Sequence, residues 1–194
     1  MQNTCIVLPM RTILPQEENP ALREISKEIL KEEIQSARIQ KLIAEMKALL
    51  AKEEYGVALA AVQVGEPVRL FIVSGKALAR GARNAADEKK NNDSKLQAEF
   101  PDQVYINPVI LKKSRGKINK HEGCLSIRGK WGIVPRTEKA TIRAFDEHGQ
   151  EFTRGAAGFL AHIFQHEMDH LEAILYIDKA VELYDEDKER TSSQ

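Results

Sequence analysis

The chain has 194 residues, 42 % hydrophobic and 30 % charged, which is enough for one compact domain with a sizeable core. Lys+Arg and Asp+Glu each number 29, so the net charge is zero and there is no overall electrostatic case for a nucleic-acid partner, though a local basic patch is left open. Two cysteines, Cys5 and Cys124, are too few for a disulfide framework, the start lacks the pattern of a secretory signal, and no apolar run reaches the ~20 residues of a membrane span. A reducing cytoplasm and no membrane partner are expected.

In chain order, a short apolar piece, Ile6 to Leu8, is followed by a Pro-punctuated loop, and Asn19-Pro20 predicts a helix start. From about Glu32 to Glu54, Ile39, Leu42, Ile43, Met46, Leu49 and Leu50 form one apolar stripe of helical period, an amphipathic N-terminal helix. Tyr55 to Gly65 is small and apolar and carries one amide, Gln63. Val68 to Val73 predicts a buried strand. Residues 76–99 are polar and charged and predict a solvated insertion. Val104 to Leu111 is a second strand, and Asn107-Pro108 puts an edge or a bulge in it.

Residues 116–138 are Gly-rich with Cys124 near the centre. Ala140 to Phe145 and Glu151 to Arg154 predict a hairpin about the turn Asp146–Gly149. Gly155 or Gly158 opens a helix that runs through Leu171, and 183–194 predict a frayed tail. Without internal repeats or a linker, the reading is a single α+β domain over 1–194, with mixed or antiparallel sheets around a central helix.

That late helix carries His166-Glu167-Met168-Asp169-His170, an H-E-x-x-H pattern. Residues four apart share a helix face, so two imidazoles converge on one ion while Glu167 reaches the ion's water without ligating it. The competing reading is an exposed helix turn with incidental charges. His162 adds a third imidazole at the same spacing, but His162 and His170 are about 12 Å apart along a straight helix and metal–nitrogen bonds are only ~2 Å. The pair 166/170, with the glutamate between its members, is preferred. The third ligand must come from elsewhere, and Cys124, after a permissive Gly123, fits it. Two His and one Cys leave an open fourth position, the mark of a catalytic site. For Cys124 alone the bland reading is a small buried side chain.

Three ordered blocks resemble the peptide deformylase family: GVALAAVQ at 56–63 with one departure, EGCLS at 122–126 and HEMDH at 166–170. Val134-Pro135-Arg136, the RAFDEHG turn and QHEMDHLEAILYID also resemble it. The resemblance implies removal of the formyl group from N-formylmethionine of nascent polypeptides, with release of formate, at an Fe(II) site that tolerates Zn, Ni or Co. It implies Cys124, His166 and His170 as ligands and Glu167 as general acid/base. Gln63 and the N–H of Leu125 match the oxyanion stabilisers, and Glu122 and Arg136 a supporting ion pair. Val57, Ala58, Gly123, Trp131 and His162 fall where substrate is bound, and the ribosome is an implied partner.

The departures are few. Ala58 replaces a family glycine, His162 stands where an apolar residue of the methionine pocket is expected, and Val62 and Arg128 replace commoner residues. They bear on substrate preference more than on the reaction. Two other readings stand beside this one: a metallo-amidase or aminopeptidase with a different substrate, and a non-catalytic ribosome-associated relative.

Overall fold

A computed structural model describes residues 11–82 and 100–186. Cys5, the piece Ile6–Leu8, residues 83–99 and residues 187–194 lie outside the described residues.

The fold is α+β with antiparallel sheets. A five-stranded sheet has the order β1-β2-β3-β6-β7, where β1 is Ala58–Ala60, β2 Leu70–Val73, β3 Gln103–Lys113, β6 Lys139–Phe145 and β7 Glu151–Ala157. A three-stranded sheet has the order β4-β5-β8, where β4 is Lys117–Cys124, β5 Ile127–Thr137 and β8 Glu182–Asp185. Four α-helices are described: α1 (Ala37–Lys52), α2 (Gly75–Ala82), α3 (Gly158–Leu171) and the single turn α4 (Tyr176–Lys179).

At β1, β2 and the start of β3 the larger sheet is buried on both faces, which is why β1 and β2 read as unbroken apolar runs. Alternation divides β2 between two cores: Phe71 and Val73 point to the side of α3, Leu70 and Ile72 to the side of α1. Ala58, Ala60 and Tyr105 join the first side, and Leu59, Val104 and Ile106 the second. On the α3 side, Phe71 stacks on Tyr105 at 4.7 Å and Phe164 closes on Tyr105 at 5.3 Å between ring centroids. The stripe of α1 supplies Ile39, Leu42, Ile43, Met46 and Leu50 to the opposite core.

Several boundaries differ from the sequence expectation. Helix α1 begins at Ala37 because the Ser36 hydroxyl accepts the Ile39 N–H at 3.4 Å, and residues 31–33 form a separate 3-10 turn. Asn19-Pro20 opens only one 3-10 turn, Pro20–Arg23. Asn107 marks a bulge within an interior strand: its φ is +48°, the register shifts between Ile106 and Val109, and its side chain bonds both the N–H and the carbonyl of Ile29. Gly155 lies in β7, so Gly158 is the residue that opens α3.

The solvated insertion expected from residue 76 begins instead with α2. Ala77, Leu78 and Ala79 are buried, and α2 lies so close to α3 that a Cβ at Gly81 would meet the Leu160 Cβ at 2.8 Å. The average polarity of 76–99 hid this short apolar face. The start of the expected frayed tail is instead a strand, because Leu183 to Asp185 pair with β5 in the register Lys130↔Asp185 and Gly132↔Leu183. Backbone bonding holds that strand, so its polar composition gives no sign of it.

Replacing Phe164 by Ala removes the ring that joins α3 to Phe71 and Tyr105. The expected loss is about 3–5 kcal/mol in urea unfolding, with the far-ultraviolet circular dichroism of the folded state preserved.

Candidate metal centre

Helix α3 crosses the larger sheet beside the end of β4. Its i, i+4 spacing turns His166 and His170 to one side, their rings 4.8 Å apart, and Cys124, the last residue of β4, faces them. The Cys124 Sγ stands 3.4 Å from His170 Nε2, and one ligand atom from each of the three residues lies within 4.8 Å of the others. In a tetrahedral site with metal–nitrogen bonds near 2.0–2.1 Å and a metal–sulfur bond near 2.3 Å, ligand atoms stand about 3.3–3.6 Å apart. The 3.4 Å separation of Cys124 and His170 and the thiolate–imidazole chemistry fit one divalent ion, with the widest of the three separations drawing in by about 1 Å.

Cys124 is not on a long Gly-rich loop. Residues 117–137 are two strands, β4 and β5, closed by the tight turn Leu125-Ser126, with a register shift between Glu122 and Cys124 that breaks the ladder just before the thiol. Gly123 lies against Trp131: a Cβ there would touch the indole at 3.4 Å, an ordinary van der Waals contact. Across the small sheet Trp131 pairs with Tyr184.

A buried ion-pair group fixes the imidazoles. Arg136 Nε and Nη2 donate to the two carboxylate oxygens of Glu122 at 2.6 and 2.8 Å, and Nη1 donates to Asp169 Oδ2 at 2.6 Å. Glu122 Oε2 is also 2.9 Å from His166 Nδ1, which leaves Nε2 of that ring for an ion. Burial works to raise the Glu122 carboxyl, but the hydrogen bonds from Arg136 and His166 outweigh it and hold the group at about 2. Arg136 is only 4 % exposed and Glu122 8 %, so neither charge has solvent as an alternative partner.

Glu167, between the two histidines, is 3 % exposed and its Oε2 has no hydrogen-bond partner. Burial pushes its carboxyl up to about 7. Gln63 is in the 3-10 turn after β1. Its Oε1 accepts the Ala60 N–H at 2.8 Å, and this orients Nε2 toward Cys124 Sγ and Ser126 Oγ, each at 3.4 Å. Leu125 follows the thiol directly and packs against the α1-side core.

Of the residues expected at the substrate side, Val57 and Ala58 lead into and open β1, and Ala58 is buried without a positive φ, so its methyl brings no backbone strain. His162 lies one helical turn before His166, 8 % exposed, with Nε2 buried and unpartnered. Burial, then the charge of Lys120, keep its imidazole below the ordinary range. Arg128 pairs with Glu53 at 2.9 Å.

Three contributors lie beyond the motifs legible in the sequence. Asp169, inside the H-E-x-x-H run, is the second carboxylate on Arg136, and its place three residues after His166 was the available signal. Ser126 receives the Gln63 amide, and Tyr176 stacks on His166 at 6.2 Å between centroids. Nothing in sequence spacing points to those two.

Replacing Arg136 by Met would leave the buried Glu122 carboxylate with only the His166 ring beside it and Asp169 with only Lys179. The expected cost is about 3–5 kcal/mol in chemical unfolding. Arg136→Lys should recover only part of it, because an ammonium cannot reproduce the two-pronged contact with Glu122.

A sequence profile of the polypeptide deformylase family matches residues 10–186. Among curated proteins, peptide deformylase 1A, chloroplastic, of Solanum lycopersicum is 36 % identical over 163 residues, covering 83 % of this chain and 56 % of its own. Peptide deformylase 1A, chloroplastic/mitochondrial, of Arabidopsis thaliana is 34 % identical over 84 % of this chain and 59 % of its own. The chain therefore spans a little over half the length of these relatives. Among solved structures, a peptide deformylase from Legionella pneumophila superposes with a TM-score of 0.68 at 30 % identity, covering 88 % of this chain and 86 % of that one. A class I type b peptide deformylase from Acinetobacter baumannii bound to Met-Ala-Ser gives 0.69 at 28 % identity, covering 90 % and 98 %. With the family profile spanning nearly all of its length, this chain belongs to the polypeptide deformylase family.

Proposed function

We propose that this chain is a metal-dependent hydrolase that removes the N-formyl group from N-formylmethionine at the start of newly made polypeptides and releases formate. The observation that carries the reading is the convergence of Cys124, His166 and His170 around one point, with the unpartnered carboxylate oxygen of Glu167 on the same helix. The Acinetobacter relative bound to Met-Ala-Ser supports the substrate, since that is the peptide left when formyl-Met-Ala-Ser loses its formyl group.

Cys124, His166 and His170 would hold the ion, which we take to be Fe(II), with Zn, Ni or Co able to replace it, because a thiolate softens the imidazole pair. When bound, such an ion supplies Lewis acidity that lowers the pKa of a water and polarises the formyl carbonyl. Glu167 takes the water's proton and delivers it to the leaving amine nitrogen. The Gln63 amide, aimed by the Ala60 N–H, donates to the carbonyl oxygen as negative charge grows there, and the Leu125 N–H does the same. Glu122 and Arg136 act through His166 by holding its ring in place.

Val57, Ala58, Gly123, Trp131 and His162 are assigned to the substrate side, with the methionine side chain near His162. Nascent chains make the ribosome the accompanying partner. A reducing, cytoplasm-like compartment suits a site that depends on a free thiol, and among the described residues Cys124 has no disulfide partner. Among the described residues no helix is long and apolar enough to cross a membrane.

The buried, unpartnered His162 Nε2 favours a second reading, an amidase or aminopeptidase with another substrate. Formyl-Met-Ala-Ser separates the two: formate release supports the deformylase, and release of free amino acid without formate overturns it. A non-catalytic relative would have no use for Glu167, so absence of turnover on every formyl peptide by metal-loaded protein would favour that reading instead.

Glu167→Ala is expected to keep one equivalent of metal and lose about 10²–10⁴-fold in formate-release rate. Cys124→Ala is expected to lose the metal on dialysis against a mild chelator. Elemental analysis beside the kinetic assay checks both, and metal loss from the Glu167 variant would overturn its assigned role.

A further inference from the structure

A cavity of about 270 Å³ lies against the flank of α3 that carries Gln165, Met168 and Asp169, away from the flank of His166 and His170. It is smaller than the ~300–1,000 Å³ pockets that hold drug-sized ligands, so a small ion with its water suits it. Its lining brings together four cations from four elements: Lys113 at the end of β3, Lys117 at the start of β4, Arg136 in β5 and Lys179 in α4.

Asp169 is the one carboxylate in the lining, and it is already engaged, with Lys179 Nζ at 2.6 Å on Oδ1 and Arg136 Nη1 at 2.6 Å on Oδ2. The rest of the Arg136 guanidinium is engaged with Glu122. Even with Glu122 included, four cations face two carboxylates, and the surplus sits on Lys113 and Lys117. Neither lysine has an ion-pair partner among the described residues, whereas the other two cations of the lining, Arg136 and Lys179, are both paired.

The connection between β3 and β4 deepens the imbalance. Residues 111–120 hold Lys112, Lys113, Arg115, Lys117 and Lys120 with no acidic residue, in a chain whose charges otherwise cancel. In the adjoining turn Glu138 and Lys139 offset one another. Packing does not require this arrangement, since both cavity lysines are exposed at strand ends. Like charges gathered around one hollow repel unless an anion sits between them.

We propose that this cavity is a binding site for a phosphate-class oxyanion, held by the surplus charge of Lys113 and Lys117 beside the paired group of Arg136, Lys179 and Asp169. Lysine ammonium groups suit a phosphate because they act as compact point charges on mobile stems. Free inorganic phosphate and the backbone of RNA present the same chemistry, and the test separates them.

The full, metal-loaded chain is titrated with inorganic phosphate, followed by phosphorus NMR, and with a short fluorescent single-stranded RNA, followed by anisotropy at about 50 and about 200 mM salt. Saturable phosphate binding is expected, weakened at least about tenfold in the double variant Lys113→Glu, Lys117→Glu. The milder pair Lys113→Gln, Lys117→Gln, which removes charge without adding any, should weaken it too. Binding that persists in Cys124→Ala supports the cavity by excluding the metal as the anion's holder. RNA that binds more tightly than phosphate, is displaced by it and is released by salt identifies the backbone as the source. Phosphate binding without RNA binding identifies the free ion. The proposal is overturned if neither probe saturates, if both double variants bind as the parent does, or if Cys124→Ala abolishes binding.

Discussion

The site rests on one buried guanidinium. Arg136 reaches from β5 to Glu122 on β4 and to Asp169 on α3, so a single side chain ties the small sheet to the helix that carries both histidines. A buried pair of this kind does not guarantee stability, because desolvation of the charges can cancel their attraction. What it secures is position. With both Glu122 oxygens fixed by Arg136, the carboxylate stands at a definite place beside His166 Nδ1, and the ring presents Nε2 toward Cys124.

The surrounding packing keeps that arrangement in register. The larger sheet is held between α1 on one face and α3 on the other, and the aromatic contacts of Phe71, Tyr105 and Phe164 seat α3 against it. The bulge at Asn107 marks where β3 leaves β2, whose pairing ends at Ile106, while past Pro108 the strand continues against β6. A shift between Glu122 and Cys124 does the comparable job in the small sheet: it displaces the last pair of the ladder, Cys124↔Ile127, beside the imidazoles. These irregularities sit where the backbone must change direction to serve the centre.

Division of labour on α3 follows from its period. His166 and His170 share one side, Glu167 occupies a dry neighbouring position, and Gln165 and Asp169 turn to a different flank where the basic cavity lies. One helix thus serves two electrostatic environments, and Arg136 stands at the boundary between them. Gln165 secures this flank by bonding the Thr137 backbone N–H at 3.0 Å and its carbonyl at 2.9 Å.

The sequence by itself determined the periodic and the chemically marked parts. The stripe from Ile39 to Leu50 required an amphipathic helix, the spacing of His166 and His170 required a shared face, and three ordered blocks pointed to Cys124, Gln63 and the family. These signals are local: a helix face or a short motif carries its meaning within a few residues. Tertiary structure decided the rest. It placed Asp169 on Arg136, Ser126 on Gln63 and Tyr176 on His166, and it paired the polar strand Glu182–Asp185 with β5 through backbone bonds that any residues could make. It also turned Ala77 to Ala79 inward from a stretch whose average composition is polar, and gathered Lys113, Lys117, Arg136 and Lys179 from four elements around one cavity. Contacts between residues far apart in the chain leave no periodic trace, so only the packed chain could reveal them.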